Sequence, residues 1–341
     1  MIKYLGSKRT LIPKILEVFD TLGQHQTVVD VFSGTSRVGH ALKASGRRVL
    51  ANDHNAYAAM LARCYVQADH ADVCHDAIRL IAELNALPGA AGYVTTTFCE
   101  QSRFFQPHNG ARIDAIRQRI ADWALPPELN AVLLVSLMEA ADRVDSTTGV
   151  QMAYLKQWAA RASNHLQLRM PAVLPRAAAG KGLALQLDAA DLAQQLAAGL
   201  HGPVDIAYLD PPYNQHKYLG NYHIWESLVL WDKPEVYGIA CKRIDTRARK
   251  SPFNSKVDSA AAMQALIDTL PARQLVVSFN NEGFFAKDEM VAMLGRRGPV
   301  RVVECDFKRY VGAQIGVYNP AGQKVGAPTH LRNLEFLFVV G

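Results

Sequence analysis

The sequence predicts an α/β protein: a largely parallel sheet of the nucleotide-binding kind, with helices on both faces and a helical insertion. Three observations carry this. Apolar runs of strand length have an acid at or near their carboxyl ends, at Asp30, Asp53, Asp188 and Asp210. A glycine-containing turn and a helix follow the first run, the opening unit of a nucleotide-binding sheet. Between the second and third acids, apolar residues recur at helical spacing over most of residues 69–180.

In chain order, Lys3-Tyr4-Leu5-Gly6-Ser7-Lys8-Arg9 precedes a helix expected over residues 11–19. Gly6 permits a tight turn and Ser7 can cap the helix. Thr27-Val28-Val29-Asp30-Val31-Phe32 is a buried strand, Ser33 to Gly39 a loop, and 40–45 a helix. Arg47 to Asp53 forms a second strand. It ends in an acid about twenty residues after the loop, the spacing at which a carboxylate reaches ribose hydroxyls. Loop and acid together point to an adenosine-bearing cofactor.

Helical periodicity then runs through 56–68, 76–84, 113–123 and 129–141, with a further basic helix expected at 153–162. Arg103, Arg112, Arg117, Arg119 and Lys156 are interleaved there with Phe98, Phe104, Phe105 and Trp158, a mixture that suits nucleic acid. A linker rich in Pro and Gly over 170–182 returns the chain to a third strand, Leu183 to Asp188, and a helix at 189–198. The predicted organisation is therefore one catalytic domain, residues 1–68 and 181–341, interrupted by the insertion.

Val204 to Leu209 reads as a strand buried on both faces, stopped by Asp210-Pro211-Pro212-Tyr213 because two prolines forbid both ladder and helix. In an open α/β sheet, ligands bind at the carboxyl ends of strands. A carboxylate and a proline carbonyl can accept the two hydrogens of an exocyclic amine, and the tyrosine offers its ring as a stacking face. The same four residues could also be a capped strand end. The segment 214–256 is basic, and Lys217, Arg247, Arg249 and Lys250 are candidate phosphate contacts. Strands follow at 274–279, 300–307 and 334–340, the last two a terminal hairpin joined by a long basic connection over 308–333.

Composition sets outer limits. With 49% hydrophobic and 20% charged residues the chain is an ordinary globular protein, and its +6 charge leans mildly toward a polyanionic partner. The five cysteines lack CxxC spacing, which signals neither a disulfide framework nor a zinc site, and no metal is expected. No signal peptide or membrane-spanning run is evident, so a cytoplasmic location is expected.

Lys3-Tyr4-Leu5-Gly6-Ser7-Lys8, Asp30-Val31-Phe32-Ser33-Gly34-Thr35, Asn52-Asp53, Asp210-Pro211-Pro212-Tyr213, Asn221-Tyr222-His223 with Glu226, and Ser278-Phe279-Asn280-Asn281-Glu282-Gly283 occur in one order. That series resembles the α-group (Dam-like) adenine-specific DNA methyltransferases. The resemblance implies a Rossmann-like methyltransferase sheet, S-adenosylmethionine as cofactor and double-stranded DNA as substrate; a cognate restriction endonuclease is a candidate partner, and the sequence leaves open whether one exists. It implies that Tyr4, Gly6, Ser7 and Lys8 lie near the methionine end and that Asp30, Phe32, Ser33, Gly34 and Thr35 wrap the cofactor. Asp53 would bind the ribose, Asp188 would lie near the adenine ring, and Asp210 would touch both cofactor and target. Ser36 departs from the pattern, since many members carry a second glycine there.

The implied chemistry is consistent with these residues. An adenine amine is a poor nucleophile because its lone pair conjugates with the ring. Acceptors on its hydrogens draw the nitrogen toward tetrahedral geometry and offset its developing charge. A cytosine-C5 methyltransferase needs a nucleophilic thiol, typically after a proline, and no cysteine here follows one. Cytosine-N4 methylation shares the amine chemistry and is the alternative reaction. A non-catalytic DNA-binding module is the alternative of another class.

Overall fold

A computed structural model describes residues 1–23, 27–215, 217–308, 317–318, 324–326 and 332–341. His216 and most of the connection 308–333 lie outside the described residues. The strands are β1 (Thr27–Asp30), β2 (Arg48–Asn52), β3 (Leu183–Leu185), β4 (Ile206–Leu209), β5 (Val236–Tyr237), β6 (Lys242–Arg243), β7 (Gln274–Asn280), β8 (Val300–Lys308), β9 (Val317–Tyr318), β10 (Lys324–Gly326) and β11 (Arg332–Val340). Seven of them form one sheet in the order β3-β2-β1-β4-β7-β11-β8. β3, β2, β1, β4 and β7 run parallel, and β11 lies antiparallel between β7 and β8. The predicted terminal hairpin is therefore present.

Order reverses between β1 and β4, where Asp30 pairs with Tyr208. Asp30 closes β1 and Asp210 follows β4, so both acids stand at the switch point, where the crevice of an open α/β sheet forms. Val28, Val29, Ile206, Ala207 and Leu209 are fully buried, as strands covered on both faces require.

The helices are α1 (Ile12–Thr21), α2 (Arg37–Ala44), α3 (Ala56–Ala62), α4 (His70–Ala86), α5 (Tyr93–Thr95), α6 (Pro107–Asp122), α7 (Pro127–Val144), α8 (Ala189–Ala197), α9 (Tyr218–Asn221), α10 (His223–Leu230), α11 (Ser259–Thr269) and α12 (Lys287–Gly295). Ile15, Phe19 and Leu42 of α1 and α2 pack on one face of the sheet. Leu192, Leu266 and Met290 of α8, α11 and α12 pack on the other. The long helices α4, α6 and α7 build a further core around Leu84, Ile116 and Leu134. That core is continuous with Tyr57 and Leu61 of α3 and Trp225 of α10.

Two expectations are corrected. Residues 153–162 do not form a helix; only a short 3₁₀ turn, Ala160–Ser163, is present. Their N–H groups are used elsewhere: Leu155 donates to the Ser146 carbonyl at 2.8 Å and Ala159 to Ser146 Oγ at 3.1 Å. Arg161 meanwhile donates to Asp145 Oδ1 at 2.6 Å and the Thr147 carbonyl at 2.5 Å. The third strand is also shorter than expected, because Asp188 turns out of it to cap α8 through the Ala190 N–H at 2.9 Å.

Candidate active site

An open cleft lies at the switch point. It is lined by Tyr4, Gly6, Ser7, Lys8, Asp30, Phe32, Ser33, Gly34, Thr35, Asp53, Asp210 and Pro212. Eleven of the twelve cofactor candidates are thus brought together. The twelfth, Asp188, lies in a smaller neighbouring cleft that shares Phe32 and His54 with the first.

Backbone geometry sets the floor. Gly34 sits at φ +50°, and a Cβ there would meet the Tyr4 ring at 3.5 Å. Its N–H donates to Asp53 Oδ2 at 3.1 Å, tying the glycine loop to the end of β2. Asp53 Oδ1 accepts from the Asn55 N–H at 2.9 Å, so this carboxylate is held from both sides. Ser36, standing where a glycine was expected, adopts the left-handed conformation that glycine favours, φ 58° and ψ 23°. Such a conformation costs a side chain about 1–2 kcal/mol, and the buried Ser36 hydroxyl makes no hydrogen bond in return.

The wall is aromatic. Tyr4 is stacked between Tyr218, 5.3 Å away, and Tyr222, 4.5 Å away, and its hydroxyl lies 3.2 Å from that of Tyr57. Gly6 brings the N-terminal turn against this stack, with Tyr218 Oη only 3.1 Å from where a Cβ would stand.

Several polar atoms of the cleft are buried without a hydrogen-bond partner: both Asp30 oxygens and the hydroxyls of Ser7 and Ser33. Buried polar groups are normally satisfied, so these fit a polar ligand. Asp30 is 1% exposed, and burial, followed by the charges of Asp210 and Asp53, raises its proton affinity well above the carboxylate range. A cationic ligand would relieve that. Arg37, which sequence reasoning passed over, also lines the cleft, and its Nε is unpartnered. The donor and acceptor set therefore fits a polar ligand that carries a positive charge.

Beyond the cleft, Asp210 is drawn into a compact cluster. Lys8 Nζ lies 3.1 Å from Asp210 Oδ1 and also donates to the Tyr213 hydroxyl and to Glu335. The Tyr213 hydroxyl bonds Asp210 and lies 2.9 Å from Glu335 Oε1. Burial raises Asp210 to about 6, with Lys8 opposing and the Glu335 charge adding to the rise. Burial would lower Lys8, but the charges of Asp210 and Glu335 outweigh it and raise the amine. Tyr213 is thus turned inward: its ring packs edge-on against Phe279 at 5.0 Å, under Lys8 at 4.7 Å. Glu335 was missed in the sequence, although an acid within the apolar run 334–340 was a signal.

A family model described as D12 class N6 adenine-specific DNA methyltransferase matches residues 4–293. The chain belongs to this family. It is similar to the type II methyltransferase M.NlaIII of Neisseria lactamica, with 30% identity over 90% of this chain and 92% of that protein. It is also similar to the modification methylase StsI of Streptococcus sanguinis, with 27% identity over 92% of this chain but only 49% of that larger protein. M.CviAII of Paramecium bursaria Chlorella virus 1 is 27% identical over 91% of this chain and 92% of its own. This N6-adenine DNA methyltransferase carries its signature tetrapeptide at the sheet's switch point. Among the described residues, no helix is long and apolar enough to cross a membrane, and no group of three or more His, Cys, Asp or Glu is placed to hold a metal.

Several basic candidates hold the protein together. Arg249 donates to the buried Glu226 at 2.6 Å and to the His54 carbonyl at 3.2 Å. Lys217 Nζ reaches the carbonyls of Arg249 at 3.2 Å and Thr246 at 3.4 Å. Arg247 lies over the Tyr237 ring at 4.0 Å but is exposed, as is Lys250. Within residues 69–180, Arg112 caps the end of α4 through the carbonyls of Asn85 and Leu87, and buried Arg117 caps α10 through Leu228 and Val229. Those two arginines are structural. His223 is neutral: burial lowers it to about 3, and its Nε2 bonds the Gln151 carbonyl at 3.0 Å.

Proposed function

We propose that this methyltransferase is site-specific, uses S-adenosylmethionine, and acts on an adenine flipped out of duplex DNA. The observation that carries the reading is the convergence of the glycine loop, Asp53, orphaned Asp30 and Asp210 on one cleft. When bound, the cofactor supplies an electrophilic methyl on a sulfonium. Asp53 would take the ribose hydroxyls, Asp30 would face the positive charge, Arg37 would reach the carboxylate, and Asp188 would stand beside the adenine.

Asp210 and the Pro211 carbonyl would accept the target amine's hydrogens, localising the nitrogen lone pair while the carboxylate offsets charge developing on nitrogen. Positioning supplies much of the remaining catalysis. Flipping costs a few kcal/mol of unstacking. Stacking on Tyr213, once the base displaces its hydroxyl from Asp210, would return ~1–3 kcal/mol.

Exposed Arg247 and Lys250 would meet phosphates, with Lys217 and Arg249 bracing the same segment. Residues 69–180 would form the target-recognition region, with exposed Arg119 among its surface cations. The type II and modification-methylase relatives favour a cognate restriction endonuclease as partner.

Asp210→Ala and Asp53→Ala divide the cleft into halves. The first should abolish methyl transfer while calorimetric cofactor affinity barely changes. The second should weaken cofactor binding about tenfold or more, the worth of a hydrogen bond to a charged group. Full activity in Asp210→Ala refutes the amine-gripping role.

A further inference from the structure

We propose that Glu335 is a positioning residue for methylation: it takes over Lys8 Nζ and the Tyr213 hydroxyl from Asp210, leaving the Asp210 carboxylate open to the target amine. The proposal rests on the amine-gripping role of Asp210. Glu335 lies on β11 between β7 and β8 and is 1% exposed. Acids are almost never so deeply buried unless paired. Its Oε1 accepts from Ser278 Oγ at 2.5 Å, Lys8 Nζ at 2.5 Å and the Tyr213 hydroxyl at 2.9 Å.

One ammonium and one hydroxyl are therefore shared between two carboxylates. Tyr213 has a single hydroxyl proton and can donate it to only one of them at a time. In the cluster as it stands, the Tyr213 hydroxyl bonds Asp210 Oδ1, and Lys8 Nζ, nearer to Glu335 Oε1 at 2.5 Å, still stands 3.1 Å from the same Asp210 oxygen. That is the carboxylate the target amine needs. With Glu335 already within hydrogen-bond distance of both donors, turning the hydroxyl torsion and relaxing the lysine transfers them without exposing an unpaired ammonium. Ser278 fixes Glu335 in the orientation that receives them. Without Glu335, Lys8 would keep Asp210 as its counter-anion in a site where attraction far exceeds that in water, and the amine would have to displace it.

Charged and titratable groups face Asp210 from each neighbouring element. They are Lys8 from the N-terminal turn, Asp30 from β1, Glu335 from β11, Tyr218 from α9, and Tyr208 and Tyr213 from its own strand and loop. Asp53 at the end of β2 acts on Asp30 and Tyr218. Removing the Glu335 charge removes a like charge beside Asp210 and lowers its proton affinity.

The test is Glu335→Gln in the full chain, with unmethylated duplex DNA and saturating S-adenosylmethionine, reading single-turnover methyl transfer from pH 5 to 9. The rate should fall by at least ~10-fold, as expected for one misplaced charge-assisted contact, with calorimetric cofactor affinity unchanged. The acid limb of the profile should move to lower pH. An undiminished rate, or a slow enzyme whose acid limb stays in place, overturns the proposal, because a merely structural glutamate would not move that limb. Should Glu335→Gln fail to fold by melting, Glu335→Asp keeps the charge and withdraws it by one methylene. It should be slow with the acid limb unmoved, and full activity overturns the proposal. Asp210→Ala separates the two readings. If that variant is inactive while Glu335→Gln is fully active, only the role of Glu335 falls; if it is active, both fall.

Discussion

Replacing Arg249 with alanine distinguishes an internal tie from a phosphate contact. The guanidinium meets Glu226, a fully buried carboxylate, at 2.6 Å. Glu226 also accepts the N–H groups of Ala56 at 3.2 Å and Tyr57 at 2.9 Å, capping α3 from across the chain. Breaking a buried ion pair from one side costs about 3–5 kcal/mol. Here the two N–H partners remain and Arg249 is 30% exposed, which reduces the expected loss to about 2 kcal/mol. Urea unfolding should register that loss as a lower midpoint at constant slope. Cofactor affinity should fall with it, because α3 begins beside Asn55 and His54 of the cleft. The slope of DNA affinity against salt should stay close to that of the parent protein, whereas Arg247→Ala and Lys250→Ala should each flatten it by about one unit. Unchanged unfolding with a flattened salt slope in Arg249→Ala would refute the internal role.

Two further outcomes follow from the cleft. Asp210 must be ionised to accept the amine's hydrogens and is raised to about 6, so methyl transfer should fall as the pH drops through that value and level off above it. The same shift makes Asp210's contribution to folding stability greatest below the ordinary carboxylate range and lost as the pH rises through about 6. An acid limb near pH 4 in the rate profile would show that Asp210 lies in a more polar setting. Ser36→Gly should stabilise the protein by about 0.5–1 kcal/mol, since relief of the left-handed strain exceeds the added freedom of the unfolded chain. Denaturant titration checks this, and a destabilised variant would mean that the hydroxyl matters to the loop.

Much of this architecture is legible in the residues because buried parallel strands write themselves as apolar runs closed by functional acids. The N-terminal turn, the glycine loop, Asp53 and Asp210 could be placed together from their positions at strand ends. Contacts made across the fold left weaker traces. Nothing local marks Arg112 and Arg117 as caps for helices that end far from them in sequence, so their charges read as a nucleic-acid surface. Residues 153–162 have helical spacing, yet Ser146, outside the segment, takes the Leu155 and Ala159 N–H groups. Glu335 did leave a mark, as the acid in an otherwise apolar strand, but its partners Lys8 and Tyr213 are 327 and 122 residues away. The stacking of Tyr4 between Tyr218 and Tyr222 likewise joins segments separated by more than half the sequence.

The most direct measurement is to incubate duplex DNA with the protein and S-adenosylmethionine labelled in its methyl group, then digest to nucleosides and identify the labelled species by mass spectrometry. The label should appear in N6-methyldeoxyadenosine, and Asp210→Ala should yield none. Label in N4-methyldeoxycytidine, or equal labelling by Asp210→Ala, would contradict an adenine amine held at Asp210.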